Sequence, residues 1–106
     1  MGIELRIRAE GGHWPPEIVS PETFLERLPG HACFAEVPVL VIARRAGALE
    51  LARVNADAGA MPAVSVQLEE RGFYVLDNDR TVANLVVAEL LRYLVASFER
   101  VTLEEL

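Results

Sequence analysis

His31-Ala32-Cys33 is the one place where a histidine and a cysteine, able to ligate a metal or run nucleophilic chemistry, stand nearly adjacent. A structural zinc site needs three or four such ligands at a recognisable spacing. The chain has two histidines and one cysteine, so His13 would have to complete the set from a distant loop. A catalytic thiol–imidazole pair requires the two groups to converge, and side chains in this two-apart arrangement usually diverge. The pattern reads as a half-buried cysteine beside a loop histidine. Asp77-Asn78-Asp79 offers two carboxylates, but its place before Arg80-Thr81 and an apolar helical run reads as a turn and helix N-cap. Asn55-Ala56-Asp57-Ala58-Gly59 starts like a calcium loop and lacks the downstream carboxylates, so it too reads as a turn. An enzyme would have to draw on His13, His31 or Cys33 with a carboxylate, and none stands at a spacing that chemistry requires. No catalytic, cofactor-binding or metal-ligating residue is expected.

Composition narrows the classes further. The chain has 106 residues, enough for one domain with a core that needs neither metal nor disulfide. Its formal net charge is −6, with ten arginines and no lysine. An acidic chain without a basic cluster is a poor binder of nucleic acid. Absence of lysine removes phosphate-loop lysines, Schiff bases and Ser–Lys dyads. Exclusive use of arginine points to GC-rich coding and a bacterial source. The apolar run from Val82 to Phe98 is broken by Asn84, Glu89 and Arg92, which argues against a membrane span. No signal peptide is visible at the N-terminus, and a lone cysteine fits a reducing cytoplasm.

The elements that must position these residues follow from periodicity. Ile3-Glu4-Leu5-Arg6-Ile7-Arg8-Ala9-Glu10 alternates as a half-buried strand, its charged face suiting a sheet edge, and Gly11-Gly12 is expected to stop it. His13-Trp14-Pro15-Pro16 reads as a stiff extended connection. Its Trp14 is either a lid over the core or, with Pro15 and Pro16, a partner-binding anchor. Ser20 caps a short helix with Pro21 at its first position and Val19 and Phe24 as a hydrophobic staple, ended by Pro29-Gly30. Pro38-Val39-Leu40-Val41-Ile42-Ala43 is apolar at every position, the mark of a strand covered on both faces. Arg44-Arg45-Ala46-Gly47 turns it into a second strand, with Arg44 expected opposite Ala48, Ala43 opposite Leu49 and Val41 opposite Leu51. A second hairpin turns at Glu69-Glu70-Arg71-Gly72, with Leu68 expected opposite Tyr74 and Val66 opposite Leu76. Residues 81–101 read as one long amphipathic helix with an apolar arc far wider than a sheet requires.

The order β-α-β-β-β-β-α predicts an α+β fold: a five-stranded, mainly antiparallel sheet with the C-terminal helix packed on one face. One long helix cannot cover both the wide arc and a central hairpin that is apolar on both sides. Apolar surface is therefore expected to remain for another chain. The leading expectation is a non-enzymatic protein-interaction domain, a homodimer or the binder of a protein partner, with Leu91 and Val95 as helix-face contacts. Small acidic α+β domains of this outline include immunity proteins, secretion chaperones and regulatory modules, an analogy at the level of fold alone. The alternative is a small-ligand pocket between sheet and helix lined by Tyr74, Tyr93 and Phe98. A small enzyme of unstated class comes third.

Overall fold

Ile7 and Ala9 are fully buried and Glu4, Arg8 and Glu10 exposed, so strand β1 (Ile3–Gly12) has the one-sided burial its alternation predicts. The protein is seen in a computed structural model that describes residues 2–14, 20–54 and 61–106. Pro15, Pro16, the Val19 half of the staple and the Asn55–Gly59 turn lie outside the described residues.

Ser20 accepts a hydrogen bond from the Thr23 N–H at 3.2 Å and starts α1 (Pro21–Arg27), with Pro21 at its first turn. Two short 3-10 turns, Leu28–Gly30 and Ala32–Phe34, lead into the meander β2 (Val39–Arg45), β3 (Ala48–Arg53), β4 (Val64–Glu69) and β5 (Gly72–Asp77). Asp79 caps α2 (Arg80–Val95) by accepting from the Thr81 N–H at 3.2 Å, as the turn-and-cap reading of Asp77-Asn78-Asp79 requires. A last strand, β6 (Phe98–Glu105), closes the chain. The result is an α+β fold whose antiparallel sheet runs β2-β3-β4-β5-β1-β6.

That sheet has six strands, so the expected five-stranded sheet is corrected. The error lies in the helix expected over 81–101, which stops at Val95; Ala96 and Ser97 turn the chain back into β6. Gly11-Gly12 is the reason β6 can form. These glycines do not stop β1 but belong to it, and Gly12 pairs with Phe98. A Cβ on Gly12 would collide with the Ser97 carbonyl, so only a bare backbone lets the α2–β6 turn close against β1. With β5 on one side and β6 on the other, β1 is an interior strand and not the expected edge.

Both hairpins form, with altered registers. The second turns on Glu70-Arg71 alone, which pairs Leu68 with Phe73, Gln67 with Tyr74 and Val66 with Val75. The expected Leu68–Tyr74 and Val66–Leu76 pairs are thus wrong by one residue, and a one-residue slip exchanges the faces. Phe73 and Val75 consequently enter the core, and Tyr74 and Leu76 leave it. In the first hairpin Arg45 pairs with Ala48 and Arg44 with Leu49, against expectation, while Val41 does pair with Leu51. A β-bulge between Val41 and Ala43 absorbs the one-residue difference.

The core lies between one sheet face and the helices, with α2 over β5 and β6 and α1 over β3. Ile7, Leu49, Val66, Phe73 and Val75 face Val86, Leu90 and Leu94 across it. No described helix is long and apolar enough to cross a membrane.

Gly72 has φ 152°, and a Cβ there would strike the Ile7 carbonyl of β1. Gly72→Ala should therefore destabilise by well over the ~1 kcal/mol at stake where alanine fits the backbone. A denaturant midpoint equal to wild type would contradict the β1–β5 approach.

Candidate functional site

Strand β2 is the surface that stands out. The run from Val39 to Ala43, expected to be buried on both faces, is instead the free edge of the sheet. Leu40, Val41 and Ile42 are 49%, 38% and 48% exposed. The physical reason is the distribution of helices: α2 lies over the opposite half of the sheet, and α1 with the turn after it touches β2 only at its margin, through Arg44 and the Glu26 carbonyl. Pairing places Leu40 with Ala52 on the uncovered sheet face and Val41 with Leu51 on the helix side, with Ile42 at the bulge between them. Consecutive apolar residues on an unpaired edge are what most proteins avoid by charge, proline or short strands. The opposite edge does avoid it: exposed Glu99, Arg100, Glu104 and Glu105 line β6.

The head of β2 borders a cleft of about 460 Å³. Val37, Pro38, Val54 and Met61 give it an apolar wall, and Glu36, Arg53 and Asp79 stand around it. Arg53 Nε and Nη2 donate to the two Asp79 oxygens at 2.6 and 3.1 Å. Hydrogen bonding to Arg53 holds the Asp79 carboxyl below its ordinary pKa, aided by the N–H groups that open α2. That carboxylate is therefore engaged twice, once by the arginine and once by the helix.

The residues singled out from sequence fall in several places. Trp14 is half-buried against the core, its ring centroid 5.9 Å from Phe73 and 5.4 Å from Phe98, both edge-on. Its indole N–H donates to the Glu70 carbonyl at 3.0 Å. This is the lid geometry, in which the apolar body is packed and the polar tip satisfied. Leu91 is half-buried against the core, whereas Val95 is 60% exposed and is the exposed large apolar residue of α2 among the described residues.

Tyr93 stacks on Phe24 at 4.2 Å and on Trp14 at 6.3 Å, and Trp14 in turn meets buried Phe98. Tyr74 is on the other face of the sheet, where its hydroxyl donates to Glu4. The three residues of the ligand-pocket alternative are not brought together, because the hairpin slip turned Tyr74 outward.

His31 and Cys33 do converge, though not directly, on Glu89 of α2. His31 Nδ1 lies 3.2 Å from Glu89 Oε2, and the charge of the same carboxylate acts on the Cys33 thiol. Arg92 Nη1 donates to Glu89 from the other side at 3.2 Å. Burial first, and then the Glu89 charge, push the Cys33 pKa up, the opposite of what a thiolate nucleophile requires. His13 is exposed beside Trp14. Among the described residues, no three His, Cys, Asp or Glu side chains gather in a way that could hold a metal ion.

Sequence reasoning read Leu40, Val41 and Ile42 as buried and passed over Glu36. Two signals pointed the other way: a proline at the head of the run and two arginines at its foot, both features of edge strands.

No family model matches the chain, and no curated protein or solved structure matches it significantly.

Two outcomes follow from the aromatic lid. Trp14→Ala should cost about 2–4 kcal/mol in a denaturant melt, because it opens a gap over Phe73 and Phe98. Loss below about 1 kcal/mol would mean that the ring does not seal the core. Burial raises the Tyr93 pKa from its ordinary 10 to about 12. A raised phenol pKa stabilises the fold fully below pH ~10 and loses that contribution as pH climbs toward ~12. Phenolate absorbance at alkaline pH should show Tyr93 ionising together with unfolding, and Tyr93→Phe should lack that step. Ionisation near pH 10 in the folded state would contradict the packing of Tyr93 between Phe24 and Trp14.

Proposed function

We propose that this chain is a non-enzymatic protein-interaction domain that works as a homodimer through the β2 edge. The observation that carries the reading is the exposed Leu40-Val41-Ile42 run on a strand whose outer edge is open among the described residues. Such an edge offers a row of backbone donors and acceptors together with apolar side chains, the two ingredients of strand addition. Main-chain hydrogen bonds supply part of the affinity, and burial of Leu40 and Ile42 supplies the rest. The β6 edge offers less of the second ingredient, since its exposed Leu103 stands alone among Glu99, Arg100, Glu104 and Glu105. The expected helix-face contacts are weaker candidates for a broad interface, since Leu91 is half-buried and Val95 stands alone. A symmetric dimer also agrees with the acidic, lysine-free composition, which gives little basis for binding phosphate-rich partners.

The free, half-buried thiol of Cys33 favours a reducing compartment, and the cytoplasm is the proposed location. A catalytic role for Cys33 is disfavoured by its raised pKa and by the carboxylate beside it.

Light scattering should find the wild type dimeric at micromolar concentration. Leu40→Asp and Ile42→Asp should each run as monomers with an unchanged circular dichroism spectrum. Both side chains are half exposed in the single chain, so the fold loses little. In the dimer, each substitution buries an unpaired carboxylate at a cost of several kcal/mol. A wild type that is already monomeric under these conditions removes the proposal.

A further inference from the structure

We infer that the strand laid on β2 is the β2 of a second copy, run antiparallel about a two-fold axis, with Glu36 of each copy paired to Arg45 of the other. The inference rests on the proposed homodimer and specifies its geometry.

It starts from two unbalanced charges at the two ends of one strand. Arg45 is the last residue of β2, and Glu36 lies on the bend leading into it; both are exposed. Neither forms a hydrogen bond or ion pair among the described residues. Their neighbours are engaged: Arg44 donates to the Glu26 carbonyl at 3.4 Å, and Arg53, across the cleft from Glu36, is neutralised by Asp79. Between the two charges the strand is apolar from Val39 to Ala43.

A strand that is negative at its head, apolar in the middle and positive at its foot complements itself in one sense only. Two parallel copies would set Arg45 beside Arg45 and Glu36 beside Glu36. Two antiparallel copies set each arginine at the other's head. The conclusion does not hang on one register. Pairing Ile42 with Ile42 puts Arg45 opposite Val39, and pairing Val41 with Val41 puts it opposite Val37. Either way Glu36 is within about 10 Å along the chain, a gap that a long arginine and a glutamate span together.

The cleft completes the fit. Its wall of Val37, Pro38, Val54 and Met61 suits the aliphatic stem of an arginine whose guanidinium ends on Glu36. Closure also favours this pairing. A β2 edge laid on a β6 edge is a head-to-tail contact that repeats without end, whereas β2 on β2 is finished at two copies.

Charge reversal across the interface tests the geometry. Glu36→Arg and Arg45→Glu alter exposed, unpartnered side chains, so both variants should fold as the wild type does. Sedimentation equilibrium should show each variant alone dimerising at least about tenfold more weakly, because each dimer then holds two like-charge contacts. An equal mixture of the two should recover dimer near wild-type strength, since both contacts of the mixed dimer again join opposite charges. A wild-type dimer with both variants unaffected, or a mixture no better than its components, overturns the antiparallel pairing and leaves the homodimer standing. A monomeric wild type overturns both.

Discussion

The insertion of β1 between β5 and β6 is the constraint on which the rest of this structure depends. Its pairings join the N-terminal segment to both the hairpin before α2 and the strand after it. Ile7 and Ala9 then lie at the centre of the core with no exposure. The insertion is possible because backbone takes the place of side chains where chains crowd: Gly72 lies against the Ile7 carbonyl and Gly12 against the Ser97 carbonyl. Once β1 is enclosed on both sides, the meander can grow only in the other direction, and among the described residues β2 is its last strand.

Helix coverage follows from the same arrangement. Because α2 runs directly from β5 and turns directly into β6, it is tied to that half of the sheet. Its wide apolar arc is used within the chain: Val82, Val86, Leu90 and Leu94 are fully buried, and Tyr93 is covered by Phe24 and Trp14. The apolar surface left over is consequently on β2, at the sheet's far edge. Of the two surpluses legible in the sequence, the helix arc is mostly buried within the chain and the hairpin's β2 strand keeps its apolar side chains exposed.

Charge placement reinforces the division. Arg6 with Glu69, Arg53 with Asp79, and Asp77 with Arg80 tie strands to one another or to the start of α2. Glu89 gathers His31, Cys33 and Arg92 where the loop after α1 meets α2. Arg6–Glu69 and Arg53–Asp79 lie at half-exposed positions, where each contributes modestly, whereas the Asp77 carboxylate is buried and depends on Arg80 as its partner. No buried side-chain polar atom among the described residues lacks a partner. The buried electrostatics are thus satisfied internally, and Glu36 and Arg45 at the two ends of β2 are among the exposed charges without a partner in the described residues.

What the sequence determined by itself was what neighbouring residues decide. Ser20 and Asp79 cap helices because a short side-chain oxygen reaches an N–H two or three residues on. The alternation of β1 and the two hairpin turns were legible for the same reason. A surplus of apolar residues was legible too, on the helix and on the central hairpin, and the structure leaves part of it exposed on β2. Tertiary structure decided the rest. Helical periodicity continues through Phe98 without glycine or proline, so the end of α2 is set by a distant glycine pair in β1 and not by any local stop signal. A difference of one residue in a turn moved Tyr74 to the opposite face, because a strand's two sides differ by a single step. The exposure of Leu40, Val41 and Ile42 depends on strand order and on where the helices lie. An apolar strand looks the same in sequence whether its neighbours cover it or leave it open, and only the packed chain distinguishes the two.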